Sequence, residues 1–196
     1  MQPRHRAGSE RGVALVEFAI VSLFLFSLAM GMVEYGLAYQ GQERTLGATR
    51  TGVRTAASLG TNVEADYQAL ASLRADLLAS GLLDQIEVIS IYKSATTDGQ
   101  PPTACKATAA TTELCNIYTQ SQVQNLNKAT FSTTTGCSTT TGSVSSRWCP
   151  NVRNDNQLTA DYIGLYVRIR HTFITRFFGS GMAIDQRSVM RIEPSG

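Results

Sequence analysis

Two sets of residues in this chain could do chemistry: one carboxylate set into an apolar run, and four cysteines in a polar tract. Glu17 lies within the stretch from Arg11 to Tyr39, between Gly12 upstream and Phe18 beside it, and from Phe18 to Val33 no residue is charged. An ionised carboxylate near the apolar part of a bilayer costs on the order of 2 to 3 kcal/mol, so such a residue is a functional candidate. Snorkelling from a helix end would explain its tolerance but not its spacing from Gly12. The cysteines, Cys105, Cys115, Cys137 and Cys149, lie in a tract rich in Thr, Ser, Asn and Gln, where disulfides add most to a weak core. Four cysteines permit three pairings. Cys105 with Cys115 and Cys137 with Cys149 are favoured, because each closes a short local loop. A structural zinc site is the rival chemistry, but the spacings lack the C-x2-4-C knuckle.

Catalytic patterns are missing from the sequence. Its histidines are His5, near the N-terminus, and His171, which falls on the apolar face of a strand and reads as a satisfied core residue. No H-E-x-x-H, G-x-S-x-G, phosphate-binding loop or EF-hand pattern occurs. Asp155 and Asp161 lie in a polar linker with no partner that sequence identifies. The expectation is a non-enzymatic protein with no metal or cofactor.

The element that positions Glu17 is a long helix. At ~1.5 Å per residue, the charge-free stretch covers most of a ~30 Å hydrocarbon core. Adding Val13 to Val16 and Tyr35 to Tyr39 completes the span and puts Glu17 and Glu34 near the membrane borders. Three simpler readings compete. A secretory signal peptide could be cut at Ser27-Leu28-Ala29, although Glu17 interrupts the region that should be uniformly apolar. An uncleaved anchor needs only the hydrophobicity. A buried core helix would be apolar on one stripe, whereas this run is apolar all round.

Gly12, four further residues, then Glu17 and Phe18 ahead of an apolar helix resembles the prepilin-peptidase site of type IV pilin-like proteins. The run GVALVEF, with VEYG at Val33–Gly36, most resembles the TadE-like minor pseudopilins of tight-adherence (Flp) pili. The ending SVMRIEP is similar to the family's C-terminal strand. The likeness covers about the first sixty residues and, more weakly, the last strands, and it is absent from the Cys-rich insert. It implies a leader, residues 1–12, cut between Gly12 and Val13, with Glu17 and Phe18 acting in processing and assembly. The implied partners are a prepilin peptidase, other pilin and pseudopilin subunits, the inner-membrane platform of the pilus and the membrane itself.

Charge excludes one class of partner. The formal charge is +2, and the leader carries Arg4, Arg6 and Arg11 against Glu10. Without the leader, 14 basic and 14 acidic side chains remain of 17 and 15. Nothing in this balance suggests nucleic acid. The positive-inside rule gives a tie, because Arg44, Arg50 and Arg54 follow the helix at countable distance. Disulfides need an oxidising compartment, so the cysteines place the N-terminus in the cytoplasm and the bulk of the chain outside.

The expected fold is α+β: a long N-terminal hydrophobic, membrane-spanning helix over 13–58, then an extracytoplasmic domain over 59–196. That domain should hold a second helix, a small and mainly antiparallel sheet, and a Cys/Thr-rich insert at about 94–161. The leader is expected to be unstructured. Ala38, Gly41, Thr45, Ala48, Gly52 and Ala56 form a stripe of small residues suited to close approach, either by the chain's own domain or by another subunit. Gly31, Gly36, Gly41, Gly47 and Gly52 each cost about 0.8 to 1 kcal/mol in a helix, which predicts bending or local melting. Thr61-Asn62-Val63-Glu64 reads as a capping box for a helix ending at Ser80, with Val63, Tyr67, Leu70, Leu73, Leu77 and Leu78 on one face and Gly81 beyond.

Ile86–Lys93 reads as a strand, and a short helix is expected within Glu113–Lys128, with Gly136 and Gly142 as breakers. Tyr162–Phe173 alternates Ile163, Leu165, Val167, Ile169 and Phe173 inward with Tyr166, Arg168 and Arg170 toward water. A last strand, Met182–Glu193, should turn Ile184, Met190 and Ile192 inward. The function expected is a minor pilin-like structural component. The alternatives are a tip adhesin using the disulfide-linked insert, and a single-pass membrane ectodomain with no pilus role.

Overall fold

The computed structural model describes residues 9–97, 99–140 and 144–194. The expected unstructured leader at 1–8, with His5, and the breaker at Gly142 lie outside the described residues.

Helix α1 runs unbroken from Ser9 to Leu59, 51 residues. It therefore includes Ser9–Gly12, where no structure was expected. Extending an existing helix needs no new nucleus, so a stable apolar helix propagates into its flank. The glycines do not melt it, because several are sites of close approach. At Gly52 a Cβ would lie 2.6 Å from Leu165 Cδ2, and at Gly41 it would meet Ile184. The small-residue stripe is buried from Ala38 through Ala56 and packs inside the domain. Gly60, at φ +51, ends the helix with its N–H donating to the Ala56 carbonyl.

Helix α2 spans Ala65–Ala79. The expected capping box is not formed: Thr61 Oγ1 donates to Asp155, and the Glu64 N–H donates to Asn62 Oδ1. An Asx turn at Asn62 thus takes the cap's place. Leu70, Leu73 and Leu77 are buried as expected, but Leu78 is 56% exposed. Gly81, at φ +70, follows the helix.

The sheet has five strands in the order β3-β2-β1-β4-β5: β1 Ile86–Ser94, β2 Cys115–Tyr118, β3 Ser145–Ser146, β4 Tyr162–Thr172 and β5 Gly181–Arg191. Every pairing is antiparallel. Helices α1 and α2 cover one face, over a core that includes Val53, Leu70, Leu73, Ile89, Ile91, Ile163, Leu165 and Ile169. The architecture is α+β, as the sequence predicts.

The polar insert departs most from its reading. Cys115–Tyr118 is a strand that had not been expected, because it fills the second edge of β1, with Tyr92 opposite Cys115. The short helix expected within Glu113–Lys128 is α3, Gln120–Gln124, and here a capping box does form between Thr119 and Gln122. The second face of the sheet is not simply wet. Val88, Tyr92, Cys105, Cys115, Ile117 and Tyr166 make a smaller apolar cluster beneath the insert, so Tyr166 is buried and Arg170 is exposed. On β5, Ile184 is buried and Met190 is 37% exposed, as suits an edge strand.

Cys105 is joined to Cys115 and Cys137 to Cys149, with Cα separations of 6.2 and 5.0 Å. Each link is expected to stabilise the domain by about 2 to 4 kcal/mol. Alkylation of the native, non-reduced protein followed by peptide mapping should find all four cysteines unmodified and paired in this way. Four reactive thiols would exclude it.

Candidate functional site

The N-terminal part of α1 holds Gly12, Val13, Glu17 and Phe18. Val13 and Glu17 are one turn apart on the same side of the helix, with Cβ atoms about 5 to 6 Å apart by helical geometry. All four residues are exposed, with Val13 at 65% and Phe18 at 73%. Among the described residues, nothing beyond its chain neighbours and its own helix backbone lies within 4 Å of a Cβ built at Gly12. Glu17 has no ion pair or hydrogen-bond partner among the described residues.

Beyond Glu17 the helix is a naked apolar rod. Among the described residues α1 is the one helix long and apolar enough to cross a membrane, and its most apolar window is not buried at all. Leu15, Leu23, Phe24, Phe26 and Met32 all stand exposed. In a soluble protein so much apolar area on one element would be a liability.

The rod ends at Glu34, whose importance sequence reasoning missed. Its carboxylate is buried and accepts hydrogen bonds from the Ile174 N–H at 3.0 Å, the Thr175 N–H at 2.6 Å and Thr175 Oγ1 at 2.7 Å. These donors lie in the turn between β4 and β5. Tyr35 packs against Phe173 and Phe178 of the same turn, at ring-centroid distances of 5.8 and 6.2 Å. His171 is buried nearby, edge-on to Phe173, as a core residue of β4, and its Nε2 has no hydrogen-bond partner among the described residues.

A second polar assembly lies in the domain core. Asp66 of α2 and Arg153 form an ion pair with both side chains at 0% exposure. Asp66 Oδ2 also accepts from Asn116 Nδ2 at 2.7 Å and from the Tyr118 hydroxyl at 2.8 Å. Arg153 stacks over Trp148, 4.7 Å from guanidinium carbon to ring centroid. Asn116 and Trp148 exchange two further hydrogen bonds of 2.9 Å. Burial, then the adjacent Asp66 charge, pushes the Tyr118 phenol well above its ordinary range. The group joins α2, β2 and the tract after β3 into one unit. One signal was available: Asp66 stands at i, i+4, i+7 and i+11 with Leu70, Leu73 and Leu77, on the apolar face of its helix.

The carboxylates singled out as partnerless do have partners. Asp161 pairs with Lys93 at 2.8 Å and accepts the Asn154 N–H, and Asp155 accepts from Thr61. Among the described residues no group of three or more His, Cys, Asp or Glu could hold a metal ion.

No curated protein and no solved structure matches the chain. The segment that carries Gly12, Glu17, the apolar rod, Glu34 and most of the small-residue stripe, residues 12–54, matches the family model of the TadE-like proteins.

Proposed function

We propose that this protein is a minor pilin-like structural component of a tight-adherence pilus, held in the cytoplasmic membrane by α1 with its α+β domain on the extracytoplasmic side. The observation that carries this reading is the coincidence of the TadE-like match over residues 12–54 with an apolar helix whose membrane-length segment is exposed. The match points to an association with tight-adherence pili and the membrane. The finer assignments are ours: cleavage by a prepilin peptidase, docking on the inner-membrane platform and contact with other pilin subunits.

Processing would free the Val13 amine one helical turn from Glu17, giving the carboxylate a cation to offset, in its own chain or a neighbour's. The scissile peptide sits in the first turns of α1, where helices open most readily, and Gly12 lowers the cost of opening by about 0.8 to 1 kcal/mol relative to alanine. Mass spectrometry of the membrane-associated protein should find a mature chain that begins at Val13. Gly12→Val should retain the leader, because a branched side chain then occupies the position at which the peptidase requires a small one. A chain beginning at Met30 would instead mark signal-peptidase cleavage, and an intact leader in the wild type would leave a plain membrane ectodomain.

A further inference from the structure

The turn Phe173–Ser180 between β4 and β5 is apolar where a surface turn should be polar. Ile174 is 73% exposed, Phe177 71% and Phe178 39%, and Met182 at the start of β5 is also 39% exposed. The turn is nevertheless built rather than loose. Glu34 holds the Ile174 and Thr175 amides, the Phe173 N–H donates to the Ser180 carbonyl, and Arg176 adopts φ 55, a left-handed conformation rare for a side-chain-bearing residue. Phe178 lies against α1 so closely that a Cβ at Gly31 would sit 3.2 Å from its ring. A fixed turn with outward apolar side chains implies a partner for them.

Its position along α1 identifies that partner. Gly31 lies about 27 Å along the helix from Val13 at ~1.5 Å per residue, against a hydrocarbon core of ~30 Å. The turn thus meets the helix at the far border of the span through Phe178, and Ile174 and Phe177 stand exposed there as the apolar surface of α1 does. Tyr35 and Tyr39 are exposed about one and two helical turns beyond Gly31, as in the aromatic belts of membrane interfaces. Glu34, the acid of α1 nearest this turn, is buried under it, whereas Arg176 is exposed. An apolar edge carrying a cation suits the boundary between acyl chains and phosphate headgroups.

We propose that this turn is a second membrane contact: Ile174 and Phe177 enter the headgroup–acyl boundary of the extracytoplasmic leaflet, Arg176 meets lipid phosphate, and Glu34 sets the depth. The proposal rests on the membrane-spanning reading of α1. The test uses the full chain in phosphatidylcholine vesicles and compares the emission of single tryptophan additions with the background of the buried Trp148. Phe177→Trp should be quenched by lipid brominated close to the headgroup, with blue-shifted emission. Leu158→Trp, at an exposed leucine far from this turn, should not be quenched. Phe24→Trp should be quenched by lipid brominated at mid-chain. If Phe24→Trp is quenched and Phe177→Trp is not, the turn contact alone is wrong: red-shifted emission would then mean water, and blue-shifted emission a protein surface. An unquenched Phe24→Trp would overturn the span and the turn contact with it, and quenching of Leu158→Trp would show that the signal is nonspecific and overturn the contact.

Discussion

Asp66→Ala is expected to destabilise the domain by about 3 to 5 kcal/mol, the cost of leaving one charge of a buried pair uncompensated. Arg153 would keep its positive charge at 0% exposure, with the Trp148 ring and carbonyl among its remaining contacts. Asn116 and Tyr118 would lose the acceptor they share. The loss should appear as a lower midpoint of chemical denaturation in detergent, followed by the emission of Trp148, which sits inside the affected group. Replacing both partners, Asp66→Leu with Arg153→Met, should recover the part of the loss that comes from the uncompensated charge, since apolar groups of similar volume can be neutral at such sites, while Tyr118 stays without its acceptor. Equal losses in the single and double variants would mean that packing, not the pair, sustains the core.

Glu17→Ala is expected to leave insertion intact and to disable assembly. Removing a charge only makes the apolar segment more apolar, so the membrane level serves as an internal control. With the leader cut as proposed, and where helices pack together away from water, the Val13 amine would then lack the partner proposed for it, a loss of the kind that costs about 3 to 5 kcal/mol. Recovery in sheared filaments, or with the isolated pilus machinery, should fall while the mature N-terminus is unchanged. A cleaved, inserted variant that assembles at the wild-type level would confine the acid to the peptidase step or remove its role.

The sequence made α1, α2, β1 and β4 legible because each repeats a hydrophobic pattern over several turns or pleats, and a long repeat outweighs local exceptions. Of the short elements of the insert, a helix within Glu113–Lys128 was legible and the strands were not. Cys115–Tyr118 has four residues, and what makes it a strand is the open edge of β1, a partner distant in sequence. The cap at Asn62 was misassigned for a related reason: Thr61 had a competing partner in Asp155, remote in the chain. Glu34 was legible as an acid at a membrane border but not as a clasp, because its donors in the turn follow it by 140 and 141 residues. The insert is also part of the core rather than an appendage, since it supplies β2, β3, Asn116, Trp148 and Arg153. An adhesive role for it is therefore better sought with exposed point substitutions than by deletion.

The continuity of α1 makes the membrane segment and the domain one mechanical piece. The domain grips the helix from the Phe178 contact at Gly31 to the end of α1 at Leu59, leaving no swivel between them. A single residue inserted between Glu17 and Gly31 would turn the whole domain about 100° relative to Glu17 and lift it ~1.5 Å. The azimuth of the domain's outward surfaces is thus written in the residue count of a segment they never touch. An assembling partner that holds Glu17 would aim the far end of the molecule as a shaft aims a rudder.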